Sequence, residues 1–65
     1  MKNMVKLARV ENDLTQAQLA ELAGVTRQTI GLIEAGKFNP SLKLCIAIAK
    51  AVNKTLDDLF WIEEE

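Results

Sequence analysis

The sequence predicts an all-α protein of five short helices around one core, and three observations carry that prediction. Thr15, Thr26, Ser41 and Thr55 each stand just ahead of a helix-patterned stretch, where a hydroxyl can satisfy the exposed amides of a first helical turn. Within the longer of these stretches apolar residues recur three and four positions apart rather than alternating. Two Phe, one Trp, no Tyr, three Gly and one Pro are too few turn formers for a small β-barrel, whereas eight alanines suit closely packed helices. The 65 residues make a single domain, 1–65. At that size a chain buries only about 60% of its unfolded surface, so a second copy is an expected source of stability.

Val5 to Val10 reads as the first helix, with Val5 and Ala8 inward and Leu14 closing the turn that follows. Thr15 starts the second, about 16–23, whose apolar stripe is Leu19, Leu22 and Ala23. Gly24 offers the left-handed exit that costs glycine little. Thr26 caps the third helix, about 27–34, with Ile30 and Ile33 inward, and Gly36 ends it. Phe38-Asn39-Pro40 is a loop, because proline drives the residue before it out of the α region. Ser41 caps the fourth helix, about 42–52, with Leu42, Cys45, Ile48, Ala49 and Val52 on its inner face. Thr55 caps a short fifth, with Asp57 and Asp58 in the first turn, where the helix dipole favours negative charge. Phe60-Trp61-Ile62 has strand preference, and the candidate β element is a terminal strand pair, Met1–Asn3 against Trp61–Glu63.

Composition excludes much chemistry. Without His the chain lacks the commonest metal ligand and general base, and one Cys makes neither an internal disulfide nor a zinc site. No apolar run approaches the roughly 18 residues of a membrane span, and the N-terminus lacks a signal-peptide pattern. The expectation is therefore a cytoplasmic binding module with no cofactor, no metal and no enzymatic activity. A net charge of −1 argues against nucleic acid only until its distribution is read. Residues 1–54 hold all eight basic residues against four acids, while residues 55–65 hold five acids and no base. What a polyanion meets is the local field, and the acidic tail 61–65 reads as a solvated end that keeps the chain soluble.

The informative feature spans about residues 15–35: two short helices joined by Ala23-Gly24-Val25-Thr26. So short a connection cannot turn the second helix back antiparallel, so the pair crosses steeply, as in a helix-turn-helix. Ala20 is small where the axes come closest, and Val25 plugs the turn. Ile30 and Ile33 anchor the second helix, leaving Arg27, Gln28, Gly31 and Leu32 outward. Arg27 and Gln28 lie at its N-terminal end, the end that a recognition helix pushes into a major groove. Arginine matches the paired acceptors of guanine, and glutamine the donor and acceptor of adenine.

These residues resemble a known family. Leu14-Thr15-Gln16-Ala17-Gln18-Leu19-Ala20, then Gly24-Val25-Thr26-Arg27-Gln28-Thr29-Ile30, then Ile33-Glu34-Ala35-Gly36-Lys37 is similar to the Cro/CI repressor type of helix-turn-helix, the XRE family. Asn39-Pro40-Ser41-Leu42, Ile48-Ala49 and Leu59-Phe60 continue the likeness, which covers about residues 5–60. The resemblance implies a five-helix domain that binds double-stranded operator DNA as a homodimer. It further implies that Arg27 and Gln28 read bases, with Gly31 and Leu32 at the other groove-facing positions. Thr15 and Gln16 would meet a phosphate at the start of the second helix, Gln16 also bracing the recognition helix. Thr26 and Thr29 would lie against the backbone or a thymine methyl, and Lys37, Asn39, Ser41 and Lys43 would hold the next phosphates. Arg9 pairs with Glu34 in the family as a structural tie.

Gly31 departs from the polar residue usual at its place, and Leu32 offers apolar contact only, so direct reading rests on Arg27 and Gln28 and DNA shape gains weight. Ala23 is smaller than the family's usual residue, and the room it leaves is assigned to Leu22 or Cys45. Cys45 itself reads as a small core residue. Trp61 and Ile62 are the expected dimer interface. The function these features imply is sequence-specific transcription regulation, by a repressor occupying a palindromic operator. The alternative is an antitoxin or other protein-interaction module with autoregulatory DNA binding, for which only residues 61–65 are available as a segment to cover a partner.

Overall fold

The computed structural model describes residues 3–60. In chain order these form α1 (Val5–Glu11), α2 (Gln16–Ala23), α3 (Arg27–Glu34), α4 (Leu42–Ala51) and α5 (Leu56–Leu59). Four of the five begin on a hydroxyl. Thr15 accepts from the Gln18 amide while the Gln18 side chain accepts from the Thr15 amide, closing a capping box around α2. Thr55 and Asp58 repeat that arrangement on α5, and Thr26 and Ser41 cap α3 and α4 from their side chains alone.

The helix ends are equally regular. Gly24 and Gly36 take positive φ, 76° and 74°, and so do Asp13 and Asn53, at 56° and 58°. Each of the four is followed by an amide that reaches back to the last full turn: Leu14 to Arg9, Val25 to Ala20, Lys37 to Leu32 and Lys54 to Ala49, at 2.9–3.1 Å. That left-handed exit satisfies carbonyls which the helix itself leaves without donors. Asn12 adds a long-range tie, its amide donating to the Ala8 carbonyl at 2.8 Å and to the Val52 carbonyl at 2.9 Å.

Between these ends the core is a single cluster drawn from every helix: Val5 and Ala8, Leu19 and Ala20, Ile30 and Ile33, Ile48 and Ala49 with Val52, and Leu59. Burying an aliphatic side chain of this size contributes about 1.5–3 kcal/mol, so these residues dominate the stability. Among the described residues no polar or charged residue is fully buried. Val25, Leu14, Leu44, Leu56 and Phe60 pack around the cluster half-buried. Cys45 is buried beside the loop, its thiol facing the Pro40 carbonyl at 3.8 Å, and burial raises its pKa above the ordinary thiol value.

Two inward assignments of the sequence fail. Leu22 is 60% exposed and Leu42 68%. Around α2, at about 100° per residue, the buried arc runs from Leu19 through Ala23 to Ala20, and Leu22 falls on the far side of Leu19. It therefore does not fill the room beside Ala23. Leu42 is the first residue of α4, a turn ahead of Cys45, and the covering layer stops at Cys45. Leu44 takes the half-buried place instead. Among the described residues the β element is one antiparallel bridge between Asn3 and Phe60, with the Met4 amide donating to the Leu59 carbonyl at 2.9 Å. The rest of the expected strand pair, Met1, Lys2 and Trp61 to Glu63, lies outside the described residues.

Candidate nucleic-acid interface

The site begins with the turn between α2 and α3. Gly24 closes α2 in a conformation that L-residues rarely adopt, Val25 packs into the core edge, and Thr26 opens α3, all within three residues. Ile30 and Ile33 have no exposed surface, so α3 is seated on its inner face. Its other face is consequently presented outward: Arg27 and Gln28 are exposed at the first two positions, Gly31 is half-buried, and Leu32 is 37% exposed. The start of α3 carries a hydroxyl pair, with Thr26 Oγ1 accepting from the Thr29 amide at 3.2 Å and lying 3.0 Å from Thr29 Oγ1.

The other nominated side chains flank this helix. Thr15 and Gln16 stand at the start of α2, Thr15 exposed and Gln16 half-buried. Lys37 and Asn39 are exposed on the loop after α3, and Ser41 and Lys43 are exposed at the start of α4. Three capped helix N-termini, each favouring negative charge, thus accompany Arg27, Lys37 and Lys43. Phe38, 40% exposed between Lys37 and Asn39, was not among the nominated residues. The only hint to it in the sequence was its place in the loop. Trp61 and Ile62 lie outside the described residues.

Behind the outward face is a polar clamp. Arg9 Nε donates to Glu34 Oε2 at 2.7 Å, and Arg9 Nη1 donates to the Leu14 carbonyl at 2.7 Å. Gln16 Nε2 donates to Glu34 Oε1 at 3.0 Å, so the brace from Gln16 to the recognition helix runs through this carboxylate. The pair is well shielded, with 12% of the Arg9 side chain and 4% of the Glu34 side chain exposed. The α1–α2 turn, the start of α2 and the end of α3 are thereby held as one unit. The long-range bonds of Asn3 and Asn12 escaped sequence reasoning, because a single Asn carries no spacing signal for them. Among the described residues no cluster of His, Cys, Asp or Glu could hold a metal, and no helix is long and apolar enough to cross a membrane.

A capped pair of helices around a tight left-handed turn, the second with polar residues outward at its start, defines a helix-turn-helix DNA-binding protein. A helix-turn-helix family model (HTH_3) matches residues 5–59, and the chain belongs to this XRE-type family of DNA-binding transcription regulators. It is 48% identical over 65 residues to the uncharacterized HTH-type transcriptional regulator YgzD of Bacillus subtilis, covering all of this chain and 98% of that protein. It is also 48% identical over 65 residues to the HTH-type regulator MJ0272 of Methanocaldococcus jannaschii, with the same coverage of both chains. Its fold is similar to the crystal structure of the restriction-modification controller protein C.AhdI from Aeromonas hydrophila. That likeness has a TM-score of 0.80 and 32% identity, covering 86% of this chain and 85% of the other.

Proposed function

We propose that this protein is a repressor that binds a palindromic operator as a homodimer, with the N-terminal end of α3 in the major groove and Arg27 and Gln28 reading bases. The observation that carries the reading is the division of α3 into a fully buried side, Ile30 and Ile33, and an outward side that begins with Arg27 and Gln28. Leu32 adds apolar contact and Gly31 leaves the middle of the helix bare. Thr26 and Thr29 share one hydroxyl proton between them, so the second remains to donate to a phosphate. Gln16 Nε2 carries a second hydrogen beyond the one given to Glu34. Thr15, Lys37, Asn39, Ser41 and Lys43 add backbone contacts, and Trp61 with Ile62 joins the two copies. Repression follows from occupying a promoter. The domain is cytoplasmic in this reading, since that is where its DNA lies.

Selection of bound fragments from random duplex DNA, at low and near-physiological salt, tests this directly. The expected result is an enriched palindrome whose half-sites lie about one helical turn, roughly 34 Å, apart. Salt-sensitive binding without enrichment would reduce the motif to a backbone clamp. On the selected duplex, Arg27→Ala costs about 1–3 kcal/mol and relaxes sequence preference, whereas Lys37→Ala weakens all sequences alike. Equal losses on selected and random DNA for Arg27→Ala would remove the base-reading role.

A further inference from the structure

Asn3 stands where three parts of the chain meet. Its Nδ2 donates to the Ile33 carbonyl at 2.8 Å, a bond spanning 30 positions. Its Oδ1 accepts from the Val5 amide at 3.1 Å, opening α1. Its backbone bridges Phe60, and the next amide, that of Met4, donates to the Leu59 carbonyl. The Ile33 carbonyl is one of the last four of α3, which have no donor inside the helix. It takes the Gly36 amide at 3.0 Å on one side and Asn3 on the other.

Two independent attachments therefore hold the same end of α3. Glu34 is gripped by Arg9 and Gln16, and Ile33 is gripped by Asn3. A helix of eight residues is about 12 Å long, so a small turn at its end displaces side chains at its start. One grip leaves such a turn free about the point of attachment, whereas two fix it. Asparagine is needed for both of its bonds. Serine or aspartate would still supply the acceptor that opens α1, but aspartate has no donor and the serine side chain is one atom shorter.

We propose that Asn3 is a positioning residue for DNA reading: together with the Arg9–Glu34 pair it fixes the angle at which α3 presents Arg27 and Gln28. The inference rests on the reading in which α3 carries the base contacts. It also joins the recognition helix to the end of α5 at Leu59 and Phe60, so the C-terminal end of the described chain and the start of α3 share one mechanical frame.

The test titrates wild type, Asn3→Ser, Asn3→Asp and Arg27→Ala by fluorescence anisotropy. The probes are the palindromic duplex selected above and a scrambled duplex of the same composition, well below each variant's melting temperature. Asn3→Ser is expected to melt within a few degrees of wild type, to lose about tenfold on the selected duplex, and to lose less than twofold on the scrambled one. In the free protein its backbone amide resonances are expected to shift along Arg27–Ile33, which loss of a local cap would not produce. Asn3→Asp carries the measurement if the serine variant melts too low. Equal losses on both duplexes, no loss on the selected one, shifts confined to the neighbours of Asn3 and Ile33, or unfolding of both variants would overturn the proposal. If instead wild type and Arg27→Ala bind both duplexes alike, it is the base-reading role of α3 that fails. If Arg27→Ala loses discrimination while both Asn3 variants bind as wild type, only the role of Asn3 is lost.

Discussion

At Glu34 one carboxylate serves three donors, Arg9 Nε on one oxygen and Arg9 Nη2 with Gln16 Nε2 on the other, at 2.7, 3.4 and 3.0 Å. Because so little of either side chain is exposed, water cannot replace a lost partner cheaply. Glu34→Ala strands the guanidinium and the glutamine amide together and is expected to cost about 3 kcal/mol in urea unfolding. Replacing Arg9 with Met and Glu34 with Leu at once should recover most of that loss. A double variant as unstable as the single one would mean that the pair supplies attraction beyond its own burial cost. Gly31 is the opposite case. Its φ is not positive, and an added Cβ would meet only Gln16 Nε2, at 3.8 Å, an ordinary contact. Nothing inside the protein requires glycine there, so Gly31→Ala is expected to raise stability by about 1 kcal/mol through helix propensity alone. An unchanged or lower denaturation midpoint would point to a cost the backbone does not reveal.

The helices themselves were legible because their ends are marked by chemistry that acts over three or four residues. Thr15, Thr26, Ser41 and Thr55 all cap where the spacing placed them, and Gly24 and Gly36 both exit left-handed. Asp13 and Asn53 do the same work of ending a helix, but as L-residues they give no comparably strong signal. The misplacement of Leu22 and Leu42 has a different origin: a three-or-four spacing names a stripe, not which edge of it a neighbouring helix covers. At α5 the cap is ionisable. The backbone amide and hydroxyl of Thr55, and then the charge of Lys54, hold the Asp58 carboxyl below the usual aspartate value. A carboxyl lowered by folding stabilises the fold above its unfolded pKa, and that contribution disappears as pH falls through the folded value. Wild type should therefore lose stability on acidification below about pH 4 more steeply than Asp58→Asn, measured by urea unfolding at each pH. Parallel curves for the two proteins would remove the ionised capping box as the cause.

Over the whole molecule, the outward face of α3 followed from the sequence once Ile30 and Ile33 were read as its buried side, since a helix fixed on one face leaves the other to its surroundings. The clamp behind it was only half legible. Arg9, Glu34 and the brace from Gln16 emerged through family resemblance, whereas the long-range bonds of Asn3 and Asn12 join positions 30 and 40 apart and depend on packing that no local pattern encodes. Charge, by contrast, is fully written in the sequence. The eight bases of residues 1–54 and the five acids of residues 55–65 give a near-neutral total from two unlike parts. Charges of like sign repel over a range of about 8 Å at physiological ionic strength, so acids within that range of bound DNA oppose its binding. Changing Glu63, Glu64 and Glu65 to Gln moves the net charge from −1 to +2 without touching any described contact. Affinity for random duplex DNA should then rise severalfold at low salt, with sequence preference unaltered, and the gain should fade as salt increases. A gain that persists at high salt would mean the glutamates block DNA by contact rather than by field. No gain at low salt would place their charge beyond the reach of the bound duplex.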